Sequence, residues 1–241
     1  GELRNYWASS GATSLLPKFV DDMEMKMEYF DHCFIERDTL ETSDVVNGGA
    51  ELFLYQSGYL TIKDYDDGVY ILGFPNFEVR KALYRVVVPA LTMKSNSEVV
   101  SAQSFLRKMM QDGNTAEAKK ALKALIADVP YSNKKMASMD MEERYRLIMS
   151  TIFRALGFRV EVERMLATGR IDMIVEVPSI IYVLELKLSN NGGISAAESQ
   201  IKEKSYTEPF KADKRKVIAL AVELDETGKG LIDWKEVDES L

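Results

Sequence analysis

Apolar positions fall into two regimes along the chain. Up to about residue 130 most recur at helical spacing. Leu15, Leu16, Phe19, Val20, Met23, Met27 and Phe30 line one stripe and predict helix over 11–40. The methionines in that stripe read as core packing. A short helix over 49–58 ends at Gly58. Residues 59–63 and 69–73 then predict a β-hairpin across the turn-rich run Asp64-Tyr65-Asp66-Asp67-Gly68. Asn76 follows a proline and suits the N-cap of a helix over 77–91. Two more helices are expected over 95–111 and 114–127, broken at Gly113, with Asn114 and Glu117 at capping-box spacing. Residues 130–138 are polar, include Lys134 and Lys135, and read as a linker.

The second regime starts near residue 139. Tyr145, Met149, Ile152, Phe153 and Leu156 share one face of an amphipathic helix over 140–156, which Gly157 stops. Short apolar runs then predict strands at 158–165, 169–175, 182–188, 215–223 and 231–237, with a helix at 194–206. The expectation is an α/β chain. It comprises a mainly helical, winged-helix-like lobe over 1–94, a helical pair and linker over 95–130, and a sheet-centred domain over 131–241.

Two of those strands carry acid where apolar residues are expected. One is Gly169-Arg170-Ile171-Asp172-Met173-Ile174-Val175, the other Tyr182-Val183-Leu184-Glu185-Leu186-Lys187-Leu188. Side chains alternate along a strand, so Glu185 and Lys187 face one way and Leu184, Leu186 and Leu188 the other. If the strands pair, Asp172 sits beside Glu185. Two carboxylates and an ammonium on one patch are costly to bury unless something uses them. Hard oxygen donors suit Mg²⁺ or Mn²⁺. The same spacing also serves a surface Glu–Lys pair on an edge strand.

Composition narrows the classes. Hydrophobic residues make up 46% of the chain and charged residues 29%, ordinary values for a globular protein. No apolar run approaches the roughly 20 residues that span a bilayer. One cysteine, Cys33, excludes an internal disulfide and fits a cytoplasmic location. One histidine, His32, removes His-rich zinc sites and His-based triads, and its place in a helical stretch gives it a structural role. The net charge of −7 argues against a protein that coats nucleic acid. Residues 139–241 hold 15 Lys and Arg against 19 Asp and Glu, a net of −4, so any basic surface is local. No GxxxxGK[ST] phosphate loop occurs, so no nucleotide site is expected.

The Asp, a spacer, then Glu-x-Lys resembles the core of the PD-(D/E)XK nuclease superfamily. Arg170-Ile171 stand where the superfamily name puts Pro. Wider segments are similar to uncharacterised bacterial AAA-ATPase-like proteins that carry such a nuclease domain at the C-terminus. They are Leu60-Thr61-Ile62-Lys63-Asp64-Tyr65, Leu72-Gly73-Phe74-Pro75-Asn76-Phe77-Glu78-Val79-Arg80, Phe153-Arg154-Ala155-Leu156-Gly157-Phe158 and Tyr206-Thr207-Glu208-Pro209-Phe210. Arg4-Asn5-Tyr6-Trp7-Ala8-Ser9-Ser10-Gly11 look like the end of the family's ATPase domain. The resemblance implies a three-layer α/β/α restriction-endonuclease-like core behind a remnant of an ATPase lid. It implies metal-dependent phosphodiester hydrolysis of DNA or RNA in a protein whose ATPase half lies outside this chain. A non-catalytic interaction module that keeps the fold is the alternative.

The resemblance also implies residue roles. Asp172, Glu185 and the Leu186 carbonyl are candidate metal ligands, and Lys187 would act on the attacking water. Glu142 is the first-helix acid, preferred over Glu143, and it also suits a plain helix-dipole role. Gln200 would approach the sheet from its helix, with Lys204 one turn on. Related exonucleases place Tyr four after that Gln, whereas here Tyr206 is offset by two. Arg170 is either a phosphate contact or a solvated charge. For the hairpin of the first lobe, the lid reading is favoured over nucleic-acid contact because its tip is acidic.

Overall fold

The computed structural model describes residues 29–42, 48–92, 94–127 and 140–238. Contacts divide the chain between Ala90 and Leu91. The expected helical stripe before residue 29 and the linker at 130–138 lie outside the described residues.

In the first unit a 3-10 turn (Tyr29–Asp31) leads into β1 (Cys33–Glu36) and a single helical turn, α1 (Arg37–Leu40). The helix expected through residue 40 is therefore corrected. Cys33, Phe34, Ile35 and Glu36 alternate buried and exposed, the period of a strand, and pair antiparallel with β3. His32 is thus not helical, and its ring packs edge-on against Phe34 at 5.3 Å. After α2 (Gly49–Gln56), β2 (Thr61–Asp66) and β3 (Val69–Gly73) form the expected hairpin. With β1 it becomes a three-stranded antiparallel sheet in the order β1-β3-β2. The Asn76 carboxamide accepts the Val79 N–H at 3.0 Å and caps α3 (Phe77–Thr92).

The second unit opens with α4 (Asn96–Asp112), capped by a Ser95–Glu98 capping box. Gly113, at φ +72°, ends it, and Asn114 caps α5 (Thr115–Ile126). Then follow α6 (Met141–Ala155), β4 (Arg159–Leu166), β5 (Gly169–Glu176), β6 (Ile180–Leu188), α7 (Gly193–Lys204), β7 (Lys216–Leu224) and β8 (Leu231–Val237). The strands form one mixed sheet in the order β4-β5-β6-β7-β8, antiparallel except for β6 beside β7.

Strand β6 is buried at every position from Ile180 to Leu186, so both of its faces are covered. On one face Ile181, Val183, Ala219 and Ala221 meet Ala197 and Ile201 of α7, with Tyr206 and Phe210 beside them. On the other, the Tyr182 hydroxyl donates to the Met110 carbonyl of α4 at 2.6 Å. The helical pair that the sequence pattern sets between the lobes is fastened to the sheet elsewhere too. The Trp234 indole donates to the Thr115 carbonyl at 3.0 Å, and Lys119 and Lys123 reach Asp233 and the Ile232 carbonyl on β8. α6 packs against β4, β5 and β6.

Tyr182→Phe removes the shorter hydrogen bond on the Met110 carbonyl and leaves it the Gly113 N–H at 3.4 Å. It should lower stability by roughly 1 kcal/mol, seen as a lower urea midpoint with an unchanged slope. An unshifted midpoint would mean that α4 is not held to the sheet by this contact.

Candidate active site

Two tight turns set the geometry. Between β4 and β5 only Ala167 and Thr168 intervene, because Leu166 pairs with Gly169. Between β5 and β6 the Val177 N–H donates to the Ile180 carbonyl at 2.9 Å, so Pro178 and Ser179 turn the chain. Turn length fixes register in a hairpin. The β4–β5 ladder places Glu163 opposite Asp172, and the β5–β6 ladder, followed one step past Met173–Leu184, places Asp172 opposite Glu185. Glu185 in turn lies beside Ala221 of β7. Three carboxylates therefore form a row across three strands, with a small residue at its inner end.

At this row the sheet loosens and side chains take over from backbone. The Asp172 carboxylate accepts the Leu186 N–H at 2.9 Å, where a ladder bond would otherwise fall. Lys187 Nζ donates to Glu185 Oε1 at 2.6 Å and to the Leu186 carbonyl at 3.2 Å. Asp172 is 4% exposed and Glu185 is fully buried. Glu185 Oε2 is buried and accepts no hydrogen bond from the described residues.

From α6, Glu142 and Arg146 reach the same place, one helical turn apart. Arg146 Nη2 lies 3.4 Å from Glu142 Oε1 and 3.8 Å from Asp172 Oδ1, while its Nη1 meets Glu163 Oε1 at 2.8 Å. Arg170 Nη1 meets the same Glu163 oxygen at 2.8 Å. Asp140 caps this helix by accepting the Glu142 N–H, which fixes where Glu142 begins its turn.

The electrostatics follow from burial. Desolvation first, then the Asp172 carboxylate, push the Glu185 carboxyl up to about 8, against the pull of Lys187. Burial and Asp172 likewise raise the Glu142 carboxyl, opposed by Lys187 and Arg146. Burial disfavours the Lys187 charge, but its hydrogen bond to Glu185 and the fields of Glu185, Asp172 and Glu142 outweigh that, and its pKa is raised.

Asp172, Glu185, Leu186, Lys187 and Glu142 are thus brought together, whereas Glu143 is exposed. Gln200 is at the edge of the cluster. Its carboxamide donates to the Tyr206 hydroxyl at 3.0 Å, and that hydroxyl donates to the Arg170 carbonyl at 2.7 Å. Ser205 adopts φ +51°, and this left-handed break after α7 carries the offset Tyr206 back onto Gln200. Lys204 is exposed, its stem lies against Gly169, and its carbonyl accepts the Thr168 hydroxyl at 2.9 Å. Arg170 is half-exposed and bound to Glu163 rather than free.

Arg146, Glu163 and Tyr206 join the cluster without having stood out in the sequence as site residues. The signal for Arg146 is its place four after Glu142 on one helix face. The signal for Glu163 is the two-residue length of the Ala167-Thr168 turn, which sets it opposite Asp172.

Among the described residues no three His, Cys, Asp or Glu side chains close on a common metal position. The donors still fit a small hard cation. Mg²⁺ takes only one or two carboxylates and keeps several waters. Asp172 and Glu185 supply two carboxylates, and Glu185 Oε2 is a desolvated oxygen with no hydrogen-bond donor on it.

Glu185 retains its proton in the folded protein between about pH 4.5, its ordinary value, and about 8. Its stabilising contribution is complete below the lower value and is lost as pH rises through the upper one. Glu185→Gln, measured without metal, should therefore gain stability relative to wild type on going from pH 5 to pH 8.5, by roughly 1–3 kcal/mol. Parallel stability curves for the two proteins would contradict the assigned burial.

Residues 140–234 match the family model of the PD-(D/E)XK nuclease superfamily. Over its full length the chain is similar to an uncharacterised protein encoded in the vnfD 5′ region of Azotobacter chroococcum mcd 1, with 24% identity over 253 aligned positions. The chain spans 47% of that relative's length. No solved structure matches it. No helix of the described residues is long and apolar enough to cross a membrane.

Proposed function

Taking residues 140–234 as a PD-(D/E)XK nuclease superfamily domain, we propose that the row of acids hydrolyses phosphodiester bonds in DNA or RNA with Mg²⁺ or Mn²⁺. The observation that carries this reading is the buried, unbonded Glu185 Oε2 beside Asp172, with Lys187 on the same face. In this cluster Glu142, Glu163 and Asp172 balance Arg146, Arg170 and Lys187, and a bound cation would take the place of the Glu185 proton.

Asp172, Glu185 and the Leu186 carbonyl would hold the metal. When bound, such an ion lowers the pKa of its water and screens the phosphate. Lys187, bound to Glu185, would orient the attacking water with its ammonium and meet the charge that develops on phosphorus. Glu142, its carboxyl raised by burial and by Asp172, would hold water near the metal from the α6 side. Gln200 acts through Tyr206, which fixes the Arg170 backbone. Arg170 and Lys204 flank the start of β5 and supply the local positive surface that a chain of net charge −7 needs against phosphate. The full protein, in this reading, is cytoplasmic and joins this chain to an AAA-ATPase-like region, while the chain itself carries no nucleotide site.

Asp172→Ala should abolish Mn²⁺ binding by calorimetry while the protein stays folded, since it relieves a like-charge contact. Lys187→Ala should lower kcat about 100-fold on single- or double-stranded DNA or RNA with little change in KM, because its charge acts in the transition state. Equal residual activity in wild type and Glu185→Ala would overturn the nuclease reading in favour of a non-catalytic module.

A further inference from the structure

The position of Arg146 is unlike that of a simple surface ion pair. Its side chain is 11% exposed, and its guanidinium is divided among three acids. Of these contacts the one to Glu163, at 2.8 Å, is close; those to Glu142 and Asp172, at 3.4 and 3.8 Å, are loose. Its Nε is buried and has no hydrogen-bond partner among the described residues. A guanidinium serving only to fasten α6 to the sheet would be expected to satisfy that donor, since an unmet buried N–H costs free energy.

Glu163, the firm partner, is itself unusual. It adopts φ +54° in the middle of β4, a left-handed conformation that non-glycine residues adopt at a cost. Directly opposite Asp172, this places a carboxylate where it binds Arg146 and Arg170 through a single oxygen. The strained residue therefore anchors Arg146 from the half-exposed side, while Asp172 and Glu142 hold it only weakly.

We infer that Arg146 is a positioning residue, the resident counter-ion of the acidic site, and that Glu163 holds its charge back from Asp172. This rests on the proposed metal site. With Arg146 in place, the Asp172 and Glu142 charges are partly met before any metal arrives. A divalent cation must then share that field with a fixed positive charge a few ångströms away, so Arg146 sets the metal affinity low. Glu163 limits the effect by drawing the guanidinium outward. Substitutions at the two residues should therefore change metal affinity in opposite directions.

Calorimetric titration of the full chain with MnCl₂ alone tests this without reference to activity. Arg146→Met removes the charge and should tighten Mn²⁺ binding about tenfold. Arg146→Lys restores a charge at that place and should return the affinity to within about twofold to threefold of wild type, which a purely structural clamp would not predict. Glu163→Gln alters a side chain that is 43% exposed and outside the core. It leaves Arg146 to Asp172 and Glu142 and should weaken binding severalfold. If Arg146→Met does not fold, the Glu163→Gln titration decides alone. Wild-type binding that Arg146→Met or Glu163→Gln leaves unchanged, or that Arg146→Met weakens, overturns the inference and spares the metal site. No binding in wild type and in every variant removes the metal site, and the inference with it.

Discussion

A carboxylate with no access to water, Glu185, sits on the most buried strand of the sheet, and the surrounding arrangement follows from it. An isolated carboxylate there would be prohibitively costly. It is tolerated because burial keeps its proton on up to about pH 8 and because Lys187, two residues on, returns on the same face and donates to it at 2.6 Å. Alternation along β6 makes that pairing automatic, and it leaves Leu184 and Leu186 to the opposite face. Ala221 lies beside Glu185 on β7 and is buried with it. The second carboxylate, Asp172, is held by backbone instead, through the Leu186 N–H. One acid thus pairs with Lys187, while the other takes a backbone dipole and has the Arg146 guanidinium 3.8 Å away.

The remainder of the second unit fixes these groups in place. α7 covers the Glu185 face with Ala197 and Ile201, and the chain breaks at Ser205 so that Tyr206 is buried there as well. The start of α7 lies against β7: Gly193 adopts φ +51°, a left-handed conformation that favours glycine, and the Ile194 N–H donates to the Glu223 carboxylate at 3.3 Å. On the opposite face, Tyr182 and Trp234 tie α4 and α5 to the sheet through single hydrogen bonds to helix-end carbonyls. Carbonyls in the last turn of a helix lack the usual i+4 donor and are natural anchor points; that of Met110 accepts the Gly113 N–H at a long 3.4 Å and the Tyr182 hydroxyl at 2.6 Å.

Much of this is legible in the sequence. The period-2 runs around Asp172 and Glu185, the amphipathic helix ended by Gly157, and the caps at Asn76 and Asn114 are local signals, and local physics decides them. The meeting of Asp172 with Glu185 depends on whether their strands pair, and the Pro178-Ser179 turn satisfies that condition. What escapes is non-local or masked. β1 reads as helix because its four residues follow a helical stripe, and only the ladder to β3 reveals their alternation. Tyr206 looks offset because a fixed spacing assumes an unbroken helix, and Ser205 breaks it. Glu163 and Arg146 leave only a faint local signal, a turn length and an i+4 spacing, and their meeting takes two strands and a helix placed together. The helices at 95–127 give no sign in their own sequence of what covers them, since an amphipathic stripe records that it is buried and not against which element.

The central claim is that Asp172 and Glu185 share one divalent cation. Its most direct test is the anomalous scattering of Mn²⁺ in crystals of the chain. The predicted result is an anomalous peak between the Asp172 and Glu185 carboxylates. A structure at saturating Mn²⁺ with no peak between these two side chains, or with the metal held by other residues, would contradict it.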